Sequence, residues 1–337
     1  MTDTIDVLLD EAQSLAGGGR LEEAIDLLAD ANRSAPDHRV EQRILELRHV
    51  AADGVLAAAT PAPWPRPAPD RFPSGEIPEV AVDDLDSDTI ASALQNHGSL
   101  LVRGLVDPER AAALRDTIDR AFDGAARVRE EPGADVGPDL VPFQPAEKYP
   151  FGIYERAFAN FGSGVLGVDS PRAMFQMTDA LEAAGVRSIF TEYFDERPVF
   201  SVKKTTLRRT EPGSLAGWHQ DGAFLGTETR ALNVWTALSP CGVEAPSLDV
   251  FADSFDHLVP TGGPEIYDWS VSDETAESYD TSKIVRPVFD TGDALLFDHM
   301  TLHRTGVDPS MTKTRYAIEM WFFAPSTYPM EQIPICF

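Results

Sequence analysis

The sequence predicts a mainly β protein with flanking helices, in which an all-β barrel or jelly roll follows a small N-terminal α-helical segment. Helical periodicity dominates the first part of the chain, whereas from about residue 189 short β-rich runs alternate with Gly, Pro and Asp. A proline-dense stretch separates the first helices from the rest. Many short strands after helices are typical of a barrel or sandwich with helices on its flank.

Residues 1–58 are expected to be helical, with a turn at GGGR (17–20) and a third helix at 38–58. Small and apolar residues stand at the offsets of a tetratricopeptide repeat, which the segment resembles: Ala12, Ala24, Leu28, Ala31 and Pro36. Since stacked repeats normally need several copies, a single one would lean on the main domain, a second subunit or a partner. An ordinary helical hairpin fits equally well, so partner binding and self-association stay open.

The stretch TPAPWPRPAPDRFPSGEIP, within residues 59–78, is too rich in proline for a helix or an inner strand. It is interpreted as a semi-rigid linker with a boundary near residue 75. The remaining residues, 79–337, are predicted to form one jelly-roll domain. Helices are expected there at 88–97, 107–125 and near 170–184, and strands near Val80 and at 99–104, 189–194, 199–209, 215–219, 231–238, 247–251, 284–288, 293–298 and 315–324.

Residues 128–165 are irregular and rich in Pro, Gly and aromatic side chains, so a long ordered loop is expected. Such loops often line active sites. The aromatic residues are predicted to form a wall that favours an apolar or ring-containing substrate: Phe143, Tyr149, Phe151 and Tyr154.

The composition excludes several classes of function. A formal net charge of −27 opposes binding to nucleic acid and to anionic membranes. The two cysteines, Cys241 and Cys336, imply neither a disulfide scaffold nor a structural zinc site of their own. No signal peptide and no apolar stretch long enough for a bilayer is visible, so the cytoplasm is the expected location.

The motif GWHQDGAF (217–224) carries His219 and Asp221, two residues apart. On a strand this spacing points both side chains to one face, and an imidazole beside a carboxylate supplies two ligands of a 2-His-1-carboxylate iron triad. The segment GDALLFDHMTLHRTG (292–306) offers His299 or His303 as the third ligand. Arg315 opens the next strand, where its guanidinium can grip the far carboxylate of a dicarboxylate co-substrate.

The ordered set of motifs resembles the phytanoyl-CoA dioxygenase family of Fe(II)/2-oxoglutarate oxygenases over about residues 79–325. It rests on WHQDGAF (218–224), LNVWTAL (232–238), GDALLFDHMTLHRTG (292–306) and RYAIE (315–319). The resemblance implies a double-stranded β-helix fold and the cofactors Fe(II) and 2-oxoglutarate. It assigns the metal to His219, Asp221 and His303, the distal carboxylate of the co-substrate to Arg315 and Thr305, and a place beside the co-substrate to Trp235.

Spacing to Arg304, Thr305 and Arg315 favours His303 over His299, and the presence of Asp221 argues against a halogenase. One of Lys203 and Lys204 should face the barrel interior. Glu319 shares the face of Arg315, and a carboxylate inside a barrel needs a basic partner, for which Lys203, Lys204 or Arg208 is expected.

The expected activity is hydroxylation of a small organic molecule, with 2-oxoglutarate and O2 consumed and succinate and CO2 released. The segment 241–258 lacks the Gly-Ser-His turn of many relatives, and the polar stretch 256–284 resembles an insertion, so the substrate does not carry over by analogy. Two alternatives stay open: a different metal-dependent barrel enzyme that does not use 2-oxoglutarate, and a non-catalytic barrel with a helical partner-binding segment.

Overall fold

A computed structural model describes residues 4–73, 75–151, 164–214, 217–262 and 268–337. Its helices are α1 (Thr4–Gly17), α2 (Leu21–Ser34), α3 (His38–Ala57), α4 (Ser87–His97), α5 (Pro108–Glu130), α6 (Pro171–Ala183), α7 (Val186–Phe194), α8 (Gly222–Leu225) and α9 (Asp273–Glu277). Its strands are β1 (Glu79–Ala81), β2 (Ser99–Arg103), β3 (Val165–Leu166), β4 (Val199–Thr210), β5 (Trp218–His219), β6 (Ala231–Ala237), β7 (Ser247–Phe251), β8 (Ser270–Val271), β9 (Ile284–Val285), β10 (Ala294–Phe297), β11 (His303–Gly306), β12 (Arg315–Phe323) and β13 (Pro334–Cys336).

The strands form two sheets. The larger has the order β1-β2-β10-β6-β12-β4-β13, with β3 also paired to β4, and the smaller has the order β8-β5-β11-β7-β9. Eight of these strands make the jelly roll: β4, β6, β10 and β12 in the larger sheet, and β5, β7, β9 and β11 in the smaller. The predicted jelly roll with flanking helices is therefore confirmed.

Side-chain alternation separates an inner face from an outer one. Trp235 and Ala317 of the larger sheet share an apolar cluster with Leu248 and Val250 of the smaller sheet, so this cluster is the barrel interior. The intervening residues of the larger sheet, such as Val234, pack with the flanking helices in a second cluster. The functional residues described below project from the inner faces.

Strand β4 contains a bulge that reverses its alternation. Phe200 pairs with Phe322 and Thr205 pairs with Met320, so residues 201–204 lie opposite the single residue Trp321. The backbone N–H of Lys204 donates to the Ser201 hydroxyl at 2.9 Å, which closes the bulge. The bulge therefore has three more residues in β4 than in β12, and an odd number of extra residues reverses the alternation. Before the bulge the even-numbered Phe200 faces the helices, whereas beyond it the even-numbered residues face the interior.

The N-terminal helices pack on the barrel domain through α3. Arg48 Nη2 lies 2.7 Å from Glu182 Oε1, and Arg48 Nη1 donates to the carbonyl of Cys336. His49 bridges two further segments, because its Nδ1 lies 2.9 Å from Pro334 O and its Nε2 accepts from Ala146 N at 3.0 Å. Helix α3 also shares an apolar cluster with α1 and α2, so it covers the helical hairpin within the same chain. The resemblance of the segment to a tetratricopeptide repeat stays a prediction.

Two expectations about the intermediate region are wrong. Residues 189–194 belong to helix α7 rather than to a strand: Val186, Phe190 and Phe194 recur at helical spacing and are buried, so packing overrides their β propensity. Phe143 and Tyr149 are buried in the helix-side core, where both contact His49, and do not form a wall of the site. Tyr154 lies outside the described residues. None of the described helices is long and apolar enough to span a membrane.

Strand ends also differ from expectation. The strand predicted at 284–288 ends at Val285, and residues 303–306, for which no strand is predicted, form β11. Short strands β8 and β13 carry no clear alternation in the sequence and are found only in the structure. Of these, β11 matters most here because it holds the second histidine of the site.

Candidate metal centre and co-substrate pocket

His219 ends strand β5, and Asp221 begins the turn into helix α8. Gln220 between them points away from the interior and anchors the turn. Its Nε2 donates to Met300 O at 2.6 Å and to His257 O at 3.1 Å, while its Oε1 accepts from Val259 N at 2.6 Å. The side-chain amide is thereby fully engaged, which fixes the direction of the two flanking side chains.

His303 meets this pair from the neighbouring strand. Its Cα is paired with that of His219 across β5 and β11, and His303 Nε2 lies 3.6 Å from Asp221 Oδ2. One ligand atom from each of His219, Asp221 and His303 lies within 4.8 Å of the other two. The structure thus brings together the three residues that the sequence predicts as metal ligands.

The rival histidine takes a different direction. His299 Nε2 lies 3.2 Å from the carbonyl oxygen of Thr227, and the side chain is almost fully buried. Among the described residues, His299 is not in the cluster of potential metal ligands. The geometry therefore favours His303, as the spacing to Arg315 does.

Backbone carbonyls set the orientation of both site imidazoles. His219 Nδ1 lies 3.0 Å from Gly217 O, and His303 Nδ1 lies 3.0 Å from Thr301 O. A carbonyl oxygen only accepts, so each Nδ1 carries the proton and each Nε2 keeps a lone pair. This arrangement is the usual way in which a protein presents imidazole to a metal.

Charges around the site favour the forms that bind a cation. Burial opposes ionisation of Asp221, but the ammonium of Lys204 and the two imidazoles overcome it and lower the pKa of Asp221 to about 2. Burial, followed by repulsion from His303, lowers the pKa of His219 to about 4. At neutral pH, Asp221 is a carboxylate and His219 is neutral, as metal binding requires.

Arg315 lies at the start of β12, on the interior side, and is buried. Its Nη1 donates to Ser247 O at 3.0 Å and its Nη2 to Thr210 Oγ1 at 2.8 Å, whereas its Nε has no hydrogen-bond partner. Burial lowers the pKa of Arg315 to about 10, which leaves it cationic at neutral pH. No acidic side chain in the described part of the chain forms an ion pair with it.

Trp235 and Thr305 complete the predicted pocket. The guanidinium carbon of Arg315 lies 5.2 Å from the centre of the Trp235 ring. Thr305 follows His303 by two residues in β11, so its hydroxyl shares the interior face of that strand. Both residues therefore lie on the inner faces of the barrel.

The donor set fits a ferrous ion. Asp221 Oδ2 is buried and makes no hydrogen bond with any described residue, although a carboxylate oxygen out of water needs a partner. Two imidazole nitrogens and one carboxylate are the ligands of non-haem iron that leave further positions open. The guanidinium of Arg315 is buried and has no ion pair among the described residues, so it fits a carboxylate of 2-oxoglutarate, which would supply the missing opposite charge.

Comparison with known families agrees with this chemistry. The model of the phytanoyl-CoA dioxygenase (PhyH) family matches residues 94–310. The chain belongs to the phytanoyl-CoA dioxygenase family. It is accordingly a non-haem oxygenase that depends on Fe(II) and 2-oxoglutarate.

Solved structures that resemble this PhyH-family chain are distant in sequence. EvdO2 from Micromonospora carbonacea var. aurantiaca is 20% identical with a TM-score of 0.48, and the match covers 72% of this chain and 90% of that one. AviO1 from Streptomyces viridochromogenes Tue57 is 18% identical with a TM-score of 0.47, covering 73% and 98%. EctD from S. alaskensis, solved with 2-oxoglutarate and 5-hydroxyectoine, is 18% identical with a TM-score of 0.48, covering 70% and 75%. No curated protein matched the sequence.

Two polar expectations for the interior of this PhyH-family barrel are settled by the bulge in β4. Lys204 faces the interior, where its Nζ lies 3.1 Å from Asp221 Oδ1 and 3.8 Å from the centre of the Phe224 ring. The prediction of a basic partner for Glu319 is confirmed, because Arg208 Nη2 donates to Glu319 Oε2 at 2.9 Å. Both cations thus neutralise carboxylates inside the barrel.

Two aromatic residues beside the metal-ligand cluster, Trp269 and Phe297, escaped sequence analysis. The ring centre of Trp269 lies 5.2 Å from that of His219 and 5.6 Å from that of Phe224. On the other side, the ring of Phe297 lies 4.8 Å from that of His303. Trp269 belongs to the polar stretch 256–284, and a lone tryptophan among polar residues was the available signal.

Proposed function

We propose that this oxygenase hydroxylates a small organic molecule, with His219, Asp221 and His303 as the ligands of Fe(II). The convergence of these three side chains on one point carries the proposal. A different metal-dependent barrel would not need Arg315, and a non-catalytic barrel would not need the ligand cluster. The buried guanidinium therefore favours use of 2-oxoglutarate at this same site.

Arg315 would receive the distal carboxylate of 2-oxoglutarate. Its Nε is free of hydrogen bonds, and Nη1 and Nη2 are held by Ser247 and Thr210, so the guanidinium plane is fixed before the ligand arrives. Trp235 packs against that plane, and Thr305 offers a hydroxyl from the facing strand. Preorganised donors of this kind lose little entropy on binding.

The residues of the chain would hold and orient the iron and the co-substrate and would exclude water from the site. Iron and 2-oxoglutarate, when bound, would supply the oxidising chemistry together with O2, one oxygen atom of which would enter succinate, formed with CO2, and the other the hydroxyl group of the product. Asp221 stays ionised because Lys204 pairs with it, and the two imidazoles keep one tautomer because backbone carbonyls hold their protons. Trp269, Phe224 and Phe297 shield the site from water.

The proposed substrate is a small organic molecule that packs against the aromatic rings of Trp269 and Phe224. The cytoplasm is the proposed location, since its reducing conditions suit a ferrous enzyme. The N-terminal helices are proposed to serve the fold rather than a partner, since α3 is already covered by β13 and α6.

The decisive assay incubates the purified chain with Fe(II), ascorbate, 2-oxoglutarate and a library of small molecules, and measures succinate. We expect succinate release that depends on 2-oxoglutarate and rises with a true substrate, together with a product heavier by one oxygen atom. His303→Ala is the inactive control. Absence of both iron uptake and succinate would favour the non-catalytic barrel, whereas turnover that does not need 2-oxoglutarate would favour a different metal enzyme.

A further inference from the structure

Asn233 is a buried amide without a partner inside the barrel. It lies in β6 with only 1% of its surface exposed. Neither its Oδ1 nor its Nδ2 makes a hydrogen bond with any residue that the structure describes. Because burying an amide without hydrogen bonds costs free energy, a buried group of this kind usually has a partner that is a ligand or a water.

The register of the larger sheet fixes the direction of this side chain. Asn233 pairs with Phe297 of β10 and with Trp321 of β12, and both of these rings belong to the interior cluster. Trp235, two residues further along β6, belongs to the same cluster. Asn233 therefore faces the barrel interior, whereas the next polar residue, Thr236, faces the helices.

The interior has two levels along β6. Trp235 lies at the level of the Arg315 guanidinium, whose carbon is 5.2 Å from the centre of the indole ring. Asn233 lies at the level of its neighbour Phe297, whose ring centre is 4.8 Å from that of His303. Two residues along a strand span roughly 6–7 Å. This spacing is comparable with the length of a five-carbon diacid, so a ligand held by Arg315 at one end reaches the level of Asn233 at the other.

We propose that Asn233 is a positioning residue for 2-oxoglutarate, and that its Nδ2–H donates to the carboxylate at the metal end of the co-substrate. The inference rests on the proposed function of the site. Arg315 would bind one end of the co-substrate, and the Asn233 amide would hold the other, since a hydrogen bond from an N–H to a carboxylate is stronger than one to a neutral acceptor.

The test measures 2-oxoglutarate binding to the Mn(II)-loaded protein by titration calorimetry, without turnover. Asn233→Leu removes the donor at similar volume, and Asn233→Asp replaces it with a repelling charge. We expect the Kd for 2-oxoglutarate to rise by about tenfold or more for Asn233→Leu, and further for Asn233→Asp. Thr236→Val is the matched control, since it removes a buried unpartnered hydroxyl of the same strand on the other face.

Thermal unfolding of the metal-free protein provides a second readout. If Asn233 serves a ligand, Asn233→Leu should unfold at the same temperature as the wild type or higher, because an unpaired amide is replaced by an apolar group. Unchanged 2-oxoglutarate binding in both variants would overturn the inference and leave a water-bonded structural amide. A wild-type protein that binds Mn(II) but not 2-oxoglutarate would instead overturn the proposed function, and the inference with it.

Discussion

The imidazoles of His219 and His303 lie next to each other across two short antiparallel strands, with ring centres 4.3 Å apart and ring planes inclined by 46°. Strand β5 has only two residues, so this pairing depends on the Gln220 anchor and on β11 rather than on a long ladder. The contact also explains the low pKa of His219, since burial and the neighbouring ring both oppose its protonation. A metal ion would relieve this arrangement by binding both lone pairs.

Substituting His303 with Ala should abolish tight metal binding, whereas His299→Ala should leave it near the wild-type level. His303 contributes a ligand atom to the cluster, but His299 bonds to the carbonyl of Thr227 outside it. We expect the Mn(II) Kd of His303→Ala to rise more than the 10–100-fold that is typical of losing an outer-sphere partner. Titration calorimetry checks this, and the opposite ranking of the two variants would contradict the assignment.

Arg315→Met should separate the stability of the protein from its binding of co-substrate. The buried guanidinium has no ion pair among the described residues, so its removal relieves a buried charge but also breaks its hydrogen bonds to Ser247 and Thr210, and the unfolding temperature of the metal-free protein should change little. The same variant should lose the thermal stabilisation that 2-oxoglutarate gives to the Mn(II)-loaded wild type. Differential scanning fluorimetry reports both, and retained stabilisation by 2-oxoglutarate would exclude Arg315 as the clamp.

Lys204→Met should weaken metal binding without removing a ligand. Lys204 holds Asp221 Oδ1 at 3.1 Å, which leaves Oδ2 for the metal and favours the ionised carboxylate. Loss of such a support typically raises a metal Kd about 10–100-fold. Lys283→Met, which removes the surface ion pair with Asp253, is the control and should bind Mn(II) like the wild type. Equal affinities for all three proteins would show that Lys204 does not orient Asp221.

Acid should loosen the attachment of the N-terminal helices through His49. Burial lowers the pKa of His49 below its usual value, and the neutral ring both donates to Pro334 and accepts from Ala146. Below about pH 6.5 the His49 imidazole takes up a proton in the unfolded chain but stays neutral in the folded one. The contribution of neutral His49 to the free energy of unfolding is therefore complete above that pH and is lost as the pH falls. His49→Gln should show a smaller drop in unfolding temperature between about pH 7.5 and about pH 5.5 than the wild type. The exposed His257 provides a control, since His257→Gln should behave like the wild type.

Sequence reasoning reached the jelly roll, the converging triad and Arg315 because each leaves a local mark: alternation, an His-x-Asp spacing and an arginine opening an apolar strand. It could not orient Lys203 and Lys204, since their faces depend on a bulge that only pairing with β12 reveals. It assigned residues 189–194 to a strand because aromatic and β-branched residues fit either structure until their packing partners are known. Asn233 was invisible for a similar reason, because whether an amide has a partner is a property of the folded interior.

The four residues of β4 that lie opposite Trp321 reverse the alternation of side chains along the rest of that strand. Because of this reversal, the even-numbered residues from Lys204 to Thr210 face the barrel interior and the odd-numbered ones face the helices. If a one-residue deletion there made the rest of β4 slip by one residue against β12, Arg208 would turn toward the apolar helices and Leu207 toward the barrel interior. Relatives of this chain should therefore tolerate substitutions in the segment far more readily than changes in its length.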